Sequence, residues 1–129
     1  MQIKIETKTT QTIDGKKEII NQTGTGNIKN YEKGIILSWN VPEENISFQM
    51  TILENKILLK SENQNMQFEP GKTTKSILQT QYGTMNMYIT TKNIEISKNS
   101  EIIKKINLTY DIQIDEMKPY ENKIEINIT

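Results

Sequence analysis

The stretch "KINLTYDIQID", residues 105–115, decides the fold. Ile106, Leu108, Tyr110, Ile112 and Ile114 fall on one side of an extended chain, and Asn107, Thr109, Asp111, Gln113 and Asp115 on the other. Side chains alternate between the two faces of a strand, so this rhythm describes a half-buried strand and not a helix. The same beat runs outward in both directions. Ile124, Ile126 and Ile128 oppose Lys123, Glu125 and Asn127, and in "ISFQMTILE" (46–54) Ile46, Phe48, Met50 and Ile52 face one way. Isoleucine and threonine, both abundant here, fit a pleated surface.

Turn residues punctuate the beat. Asp14-Gly15 is a strong two-residue hairpin signal joining 2–13 to 17–29. Further breaks fall near 30–33, 41–45, 55–56, 63–65, Pro70-Gly71, Tyr82-Gly83, 98–100 and 115–119. Strands are then expected at 34–40, 46–54, 57–62, 66–69, 75–82, 84–97, 101–114 and 120–129. No stretch shows three turns of helical periodicity; a short helix or 3₁₀ turn fits within 72–77. An all-antiparallel chain with one apolar face per strand buries that face in a sandwich or a barrel. The long strands at 84–97 and 101–114 favour wrapping, and closure hides sheet edges in an isoleucine-rich chain. The expected fold is all-β: one antiparallel barrel of about eight to ten strands, with residues 1–129 as a single domain.

"PGKTTKS" (70–76) resembles the end of a phosphate-binding loop. That motif requires a glycine five residues before Gly71, where Met66 stands, and a helix afterwards, where "SILQTQYG" follows. Pro70-Gly71 reads instead as a turn pair. "GTGN" at 24–27 lies inside a strand pattern with no helix behind it. It reads as a bulge or a tight bend, not a dinucleotide fingerprint.

The region from Phe68 to Ile96 carries Gly71, Thr74, Gly83, the alternating Met85-Asn86-Met87 and "TTKNI" at 90–94. "YD" follows at 110–111, and Thr23-Gly24 and "LSW" at 37–39 precede it. In these residues and their spacing the chain resembles the YwiB-like family of small bacterial proteins of unknown function. Leu78 departs from the family pattern, which has an aromatic residue there. The resemblance covers nearly the whole chain and implies a calycin-like, or lipocalin-like, β-barrel. It specifies fold better than chemistry and carries no established activity.

Composition narrows the function. The 129 residues hold 16 basic and 16 acidic side chains, so no whole-molecule field draws the chain to nucleic acid or an anionic membrane. Histidine, cysteine, arginine and alanine are absent, a bias an AT-rich genome would produce. Without histidine or cysteine the usual catalytic triads, dyads and zinc sites cannot form. Asp111 and Asp115 sit about 13 Å apart along one strand, beyond the roughly 5–9.5 Å of paired glycosidase carboxylates. "IDEMKPYEN" (114–122) offers Asp115, Glu116 and Glu121 for calcium but interrupts them with Lys118 and Pro119. An enzyme would have to rely on carboxylates, lysine or tyrosine brought together in a cleft, and no cofactor is expected. Nucleic acid wants a basic groove with aromatic platforms, whereas Trp39, Phe48 and Tyr110 share the phase of the aliphatic residues. The N-terminus offers no signal-peptide core and no apolar run is long enough to span a membrane, so a cytoplasmic address is expected.

The barrel interior remains. The expected inward set is Ile35, Leu37, Trp39, Phe48, Met50, Met85, Met87, Ile89, Leu108 and Tyr110. Barrels of about eight strands are either filled by side chains or hold one small ligand. Methionine suits an adaptable apolar pocket as well as an irregular core. Two readings follow: a lumen that takes an apolar or amphipathic small molecule through Trp39, Phe48, Met50, Met85, Met87 and Tyr110, or a filled barrel that acts through its surface, as a monomer or a homodimer.

Overall fold

The computed structural model of the chain describes residues 2–62 and 64–129. Ten strands follow one another: β1 (Ile3–Ile13), β2 (Lys16–Tyr31), β3 (Gly34–Val41), β4 (Ile46–Leu53) and β5 (Ile57–Lys60), then β6 (Asn65–Phe68), β7 (Thr73–Thr80), β8 (Gly83–Asn99), β9 (Ile102–Ile114) and β10 (Tyr120–Ile128). All pairs are antiparallel, in one sheet of order β6-β5-β4-β3-β2-β1-β10-β9-β8-β7. Apart from β6 and β7, each strand pairs with its neighbours in sequence, and β1 pairs with β10 from Ile5–Ile128 to Thr12–Glu121. The first and last strands are therefore zipped together, and the sheet is open only between β6 and β7. There Thr74 Oγ1 donates to the Gln67 carbonyl at 2.6 Å. Gly71 N–H donates to the Thr91 carbonyl at 3.0 Å, and Thr91 N–H to that of Lys72 at 3.2 Å. The sheet is nearly closed into a barrel.

The turns follow from their residues. Asp14 and Gly15 both take positive φ, 50° and 79°, as a hairpin turn whose twist matches the strands requires. At 69–72 the Lys72 N–H donates to the Glu69 carbonyl at 3.0 Å, with Gly71 at φ 77°. The expected bend at Pro70-Gly71 is therefore a tight turn, with proline fixing one corner and glycine the left-handed one. No helix occupies 72–77, because Thr73 onward pairs with β8 from Thr73–Thr90 to Thr80–Gly83. The helical turn falls instead at Pro42–Glu44, a single 3₁₀ turn closed by Asn45 in the left-handed region. The break expected at Asn63 lies outside the described residues. No helix among the described residues is long and apolar enough to cross a membrane.

Two bulges rephase the long strands. Met85, Met87, Ile89 and Thr91 share one face of β8, yet beyond Lys92 it is Ile94 that pairs with inward Leu108; the register shifts between Thr91 and Asn93. A second shift, between Ser97 and Lys98, makes Lys104 the extra residue and brings both Ile103 and Ile106 inward. Each bulge lets an odd-numbered apolar run continue as an even-numbered one. Lys92, pushed outward, binds Glu121 at 2.9 Å and Asp111 at 3.1 Å across the outer surface. Two glycines of β2 stand where β3 comes close: a side-chain carbon on Gly24 would collide with the Asn40 carbonyl, and one on Gly26 with that of Ser38. Pairing of Thr25 to Tyr31 with β3 is unbroken, so "GTGN" carries no bulge.

Asp115 departs from the strand-face expectation. β9 ends at Ile114, and Asp115 turns into the left-handed region at φ 50°. Its carboxylate accepts the Asn86 N–H at 2.8 Å. It ties the β9–β10 turn to β8 and does not continue the face of Asp111.

Candidate functional site

Consecutive antiparallel strands place alternate turns at opposite ends. The β1–β2, β3–β4, β5–β6, β7–β8 and β9–β10 turns ring one end, here the mouth. The remaining turns and both chain ends form the floor. Apolar packing is dense toward the floor, where Ile5, Leu37, Met50, Ile57, Phe68, Ile89 and Ile106 are at most 1% exposed. Phe68 meets Tyr110 edge to face, with ring centroids 4.8 Å apart.

Toward the mouth the packing opens into a cavity of about 330 Å³. Trp39, Phe48, Leu59, Met66, Leu78 and Met87 form one wall; Ile112, Ile114, Ile124 and Ile126 extend it across β9 and β10. Trp39 and Phe48 are cross-strand partners and stack with centroids 5.2 Å apart. The indole lies against Gly24 of β2: a side-chain carbon there would stand 3.2 Å from Trp39 Cδ1. The two glycines thus clear the space the tryptophan fills.

The facing wall is polar. Thr7, Thr9, Gln11 and Gln22 line it from β1 and β2, with Tyr120 and Asn122 from β10. Register places Gln11 opposite Asn122, Asn122 opposite Tyr110 and Tyr110 opposite Thr91, a polar row running round the inner face. Asn122 Nδ2 donates to the Tyr110 hydroxyl oxygen at 3.2 Å. Asn122 Oδ1 and the Trp39 Nε1–H are both buried with no hydrogen-bond partner. Burial pushes the Tyr110 phenol up to about 12, an effect the Asn122 hydrogen bond partly offsets and Tyr120 adds to. Burial also raises Tyr120. Both phenols are neutral through the physiological range. Among the described residues, no charged side chain lines this cavity; Glu44 accepts a hydrogen bond from the lining residue Gln22.

A larger hollow of about 610 Å³ lies at the floor end, among Glu54, Asn55, Lys56, Glu69, Pro70 and Lys72. Several of these side chains are exposed, and it holds no converging set of buried polar groups, so size alone does not make it the site.

Of the side chains expected to line a lumen, the structure brings together Trp39, Phe48, Met87 and Tyr110. Met50 is fully buried in the packed part, opposite Leu37. Met85 pairs with Leu78 and is half-buried outside the cavity lining. Sequence reasoning missed the polar wall. Its signal was present: Thr7, Thr9 and Gln11 keep the phase of Ile3 and Ile5, and Asn122 keeps that of Ile124 and Ile126. Polar residues in an inward phase mark the wet end of a lumen.

The sequence profile described as "Domain of unknown function (DUF1934)" matches residues 3–126. The chain belongs to this family. The crystal structure of the ywiB protein from Bacillus subtilis superposes with a TM-score of 0.74 at 17% sequence identity, covering 98% of this chain and 90% of that one. At that identity the likeness speaks for the fold alone, and it bears out the resemblance drawn from Gly71, Thr74, Gly83 and their neighbours. No curated protein matches the chain.

Proposed function

We propose that the protein binds a small apolar or amphipathic molecule in the mouth of its barrel. The observation that carries this reading is the cavity of about 330 Å³, within the roughly 300–1,000 Å³ of small-molecule sites, lined by Trp39 and Asn122, each with a buried polar atom that has no partner. A buried polar group left unpaired costs about 1–3 kcal/mol, and a ligand that satisfies it recovers that cost. A mainly apolar wall with a few placed polar groups is the usual composition of such sites. A cytoplasmic address belongs to the same proposal.

Trp39 is the one tryptophan of the chain, so its emission reports on this cavity. Titration with Nile red, a neutral apolar dye, should quench Trp39 with one dye per chain. Thr9→Phe, which puts a ring into the cavity, should weaken the dye by at least about tenfold. Dye binding that leaves Trp39 emission unchanged, or that Thr9→Phe does not weaken, defeats the reading.

A second reading rests on a different observation. Ile13, Ile19, Ile77, Tyr82 and Met117 are exposed, and all five stand at or near the mouth turns. An apolar rim of this kind suits association with a second copy. Light scattering showing a dimer that Ile19→Lys dissociates supports it; a strict monomer removes it.

A further inference from the structure

The cavity's chemistry narrows its ligand further, resting on the reading just given. Tyr110 and Asn122 are 2% and 5% exposed and both line the cavity. Because the Tyr110 oxygen accepts from Asn122 Nδ2, its own proton is left to donate, while Asn122 Oδ1 accepts nothing. Turning the amide over exchanges the roles, and the pair still presents one donor and one acceptor side by side. Trp39 Nε1 adds a second donor on the opposite wall, 4% exposed and equally unpartnered.

Such a set fits one kind of head group. A donor beside an acceptor matches a group that both accepts and donates, such as a carboxamide or a hydroxyl. A carboxylate accepts only, so it would meet the Asn122 oxygen with a lone pair and give Oδ1 nothing. It would also be buried with no cationic partner, since no charged side chain described lines the cavity. Burying an unpaired ion is far costlier than burying a paired neutral group. We infer that the cavity selects an uncharged amphiphile, its amide- or alcohol-type head held by Tyr110 and Asn122 and its apolar body on the Trp39–Phe48 side, and that it rejects fatty-acid-type anions.

Decanamide and decanoate have nearly the same shape and differ in charge and in the ability to donate. Competition against Nile red at pH 7.4 should show decanamide at least about tenfold tighter, because a site built around a donor–acceptor pair discriminates strongly against a mismatched group. Asn122→Leu and Tyr110→Phe should each remove most of that preference, read as the ratio of decanamide to decanoate affinity in each variant. The second substitution only deletes a hydroxyl, so the test survives if Asn122→Leu fails to fold. Decanoate binding as well as decanamide overturns the inference and leaves the cavity reading standing. A preference that neither substitution alters also overturns it, because the Tyr110–Asn122 pair is then not the reader. If neither Nile red nor decanamide binds, both readings fall together.

Discussion

The two ends of this barrel are built from the same strands and hold opposite kinds of interior. Along β1, Ile3 and Ile5 face the packed floor, while Thr7, Thr9 and Gln11, in the same phase, face the cavity. Along β10 the order runs the other way, from Tyr120 and Asn122 at the mouth to Ile128 at the floor. The difference divides the work. Floor residues supply stability through close packing. Mouth residues leave space and unpaired polar groups, which cost stability and are of use only if something comes to fill them.

The two phenylalanines measure this division. Phe68 is fully buried at the floor, whereas Phe48 is partly exposed at the cavity. Phe68→Ala should lower stability by about 3–5 kcal/mol, the usual range for a buried phenylalanine. Phe48→Ala should cost less than half as much, because the cavity beside it already lacks packed neighbours. Urea unfolding of the two variants and the parent decides the matter. Equal losses would mean the mouth is as tightly filled as the floor, and the ligand reading would lose its physical basis.

Much of the architecture was legible in the chain because one rule, a two-residue period, governs nearly all of it. The rule finds strands wherever an inward residue is apolar, as at Ile106, Leu108 and Tyr110. It is silent on closure, since β6 and β7 meet through Thr74 and the turn at 69–72 and not through a ladder. It also breaks at Lys92 and Lys104, where a bulge changes the phase; the shift from Ile89 to Ile94 and from Ile103 to Ile106 was the visible trace. The site was half legible for the same reason. Trp39, Phe48, Met87 and Tyr110 announced themselves as apolar inward residues. Asn122 and Thr9 carry no apolar signal, and pairing is what fixes their direction.

A titration sharpens the contrast, because the mouth holds ionisable groups in a dry setting. Tyr110 is pushed from 10.0 up to about 12 by burial. Below pH 10 the phenol is protonated in both folded and unfolded chains and does not bear on the balance. Between about 10 and 12 the unfolded chain loses this proton while the folded one keeps it, so stability falls as pH rises. Two pKa steps correspond to roughly 2–3 kcal/mol. Urea unfolding between pH 9 and 12 should therefore show a steeper decline for the parent than for Tyr110→Phe. Parallel curves would mean that water reaches Tyr110 freely. Tyr120, raised by its partial burial, is present in both proteins and cancels.

The smallest effect separates a buried polar group that serves the cavity from one that does not. Thr91 is 1% exposed and its hydroxyl has no partner, yet it does not line the cavity. Valine has nearly the same shape and lacks the hydroxyl. Thr91→Val should therefore leave stability unchanged or raise it by up to about 1 kcal/mol, since it removes an unsatisfied oxygen. It should leave Nile red and decanamide binding as they are. Asn122→Leu, two places along the same polar row, should instead remove most of the discrimination against decanoate. If Thr91→Val alters ligand preference as Asn122→Leu does, the whole polar row faces the ligand, and the boundary between mouth and floor lies deeper than Tyr110.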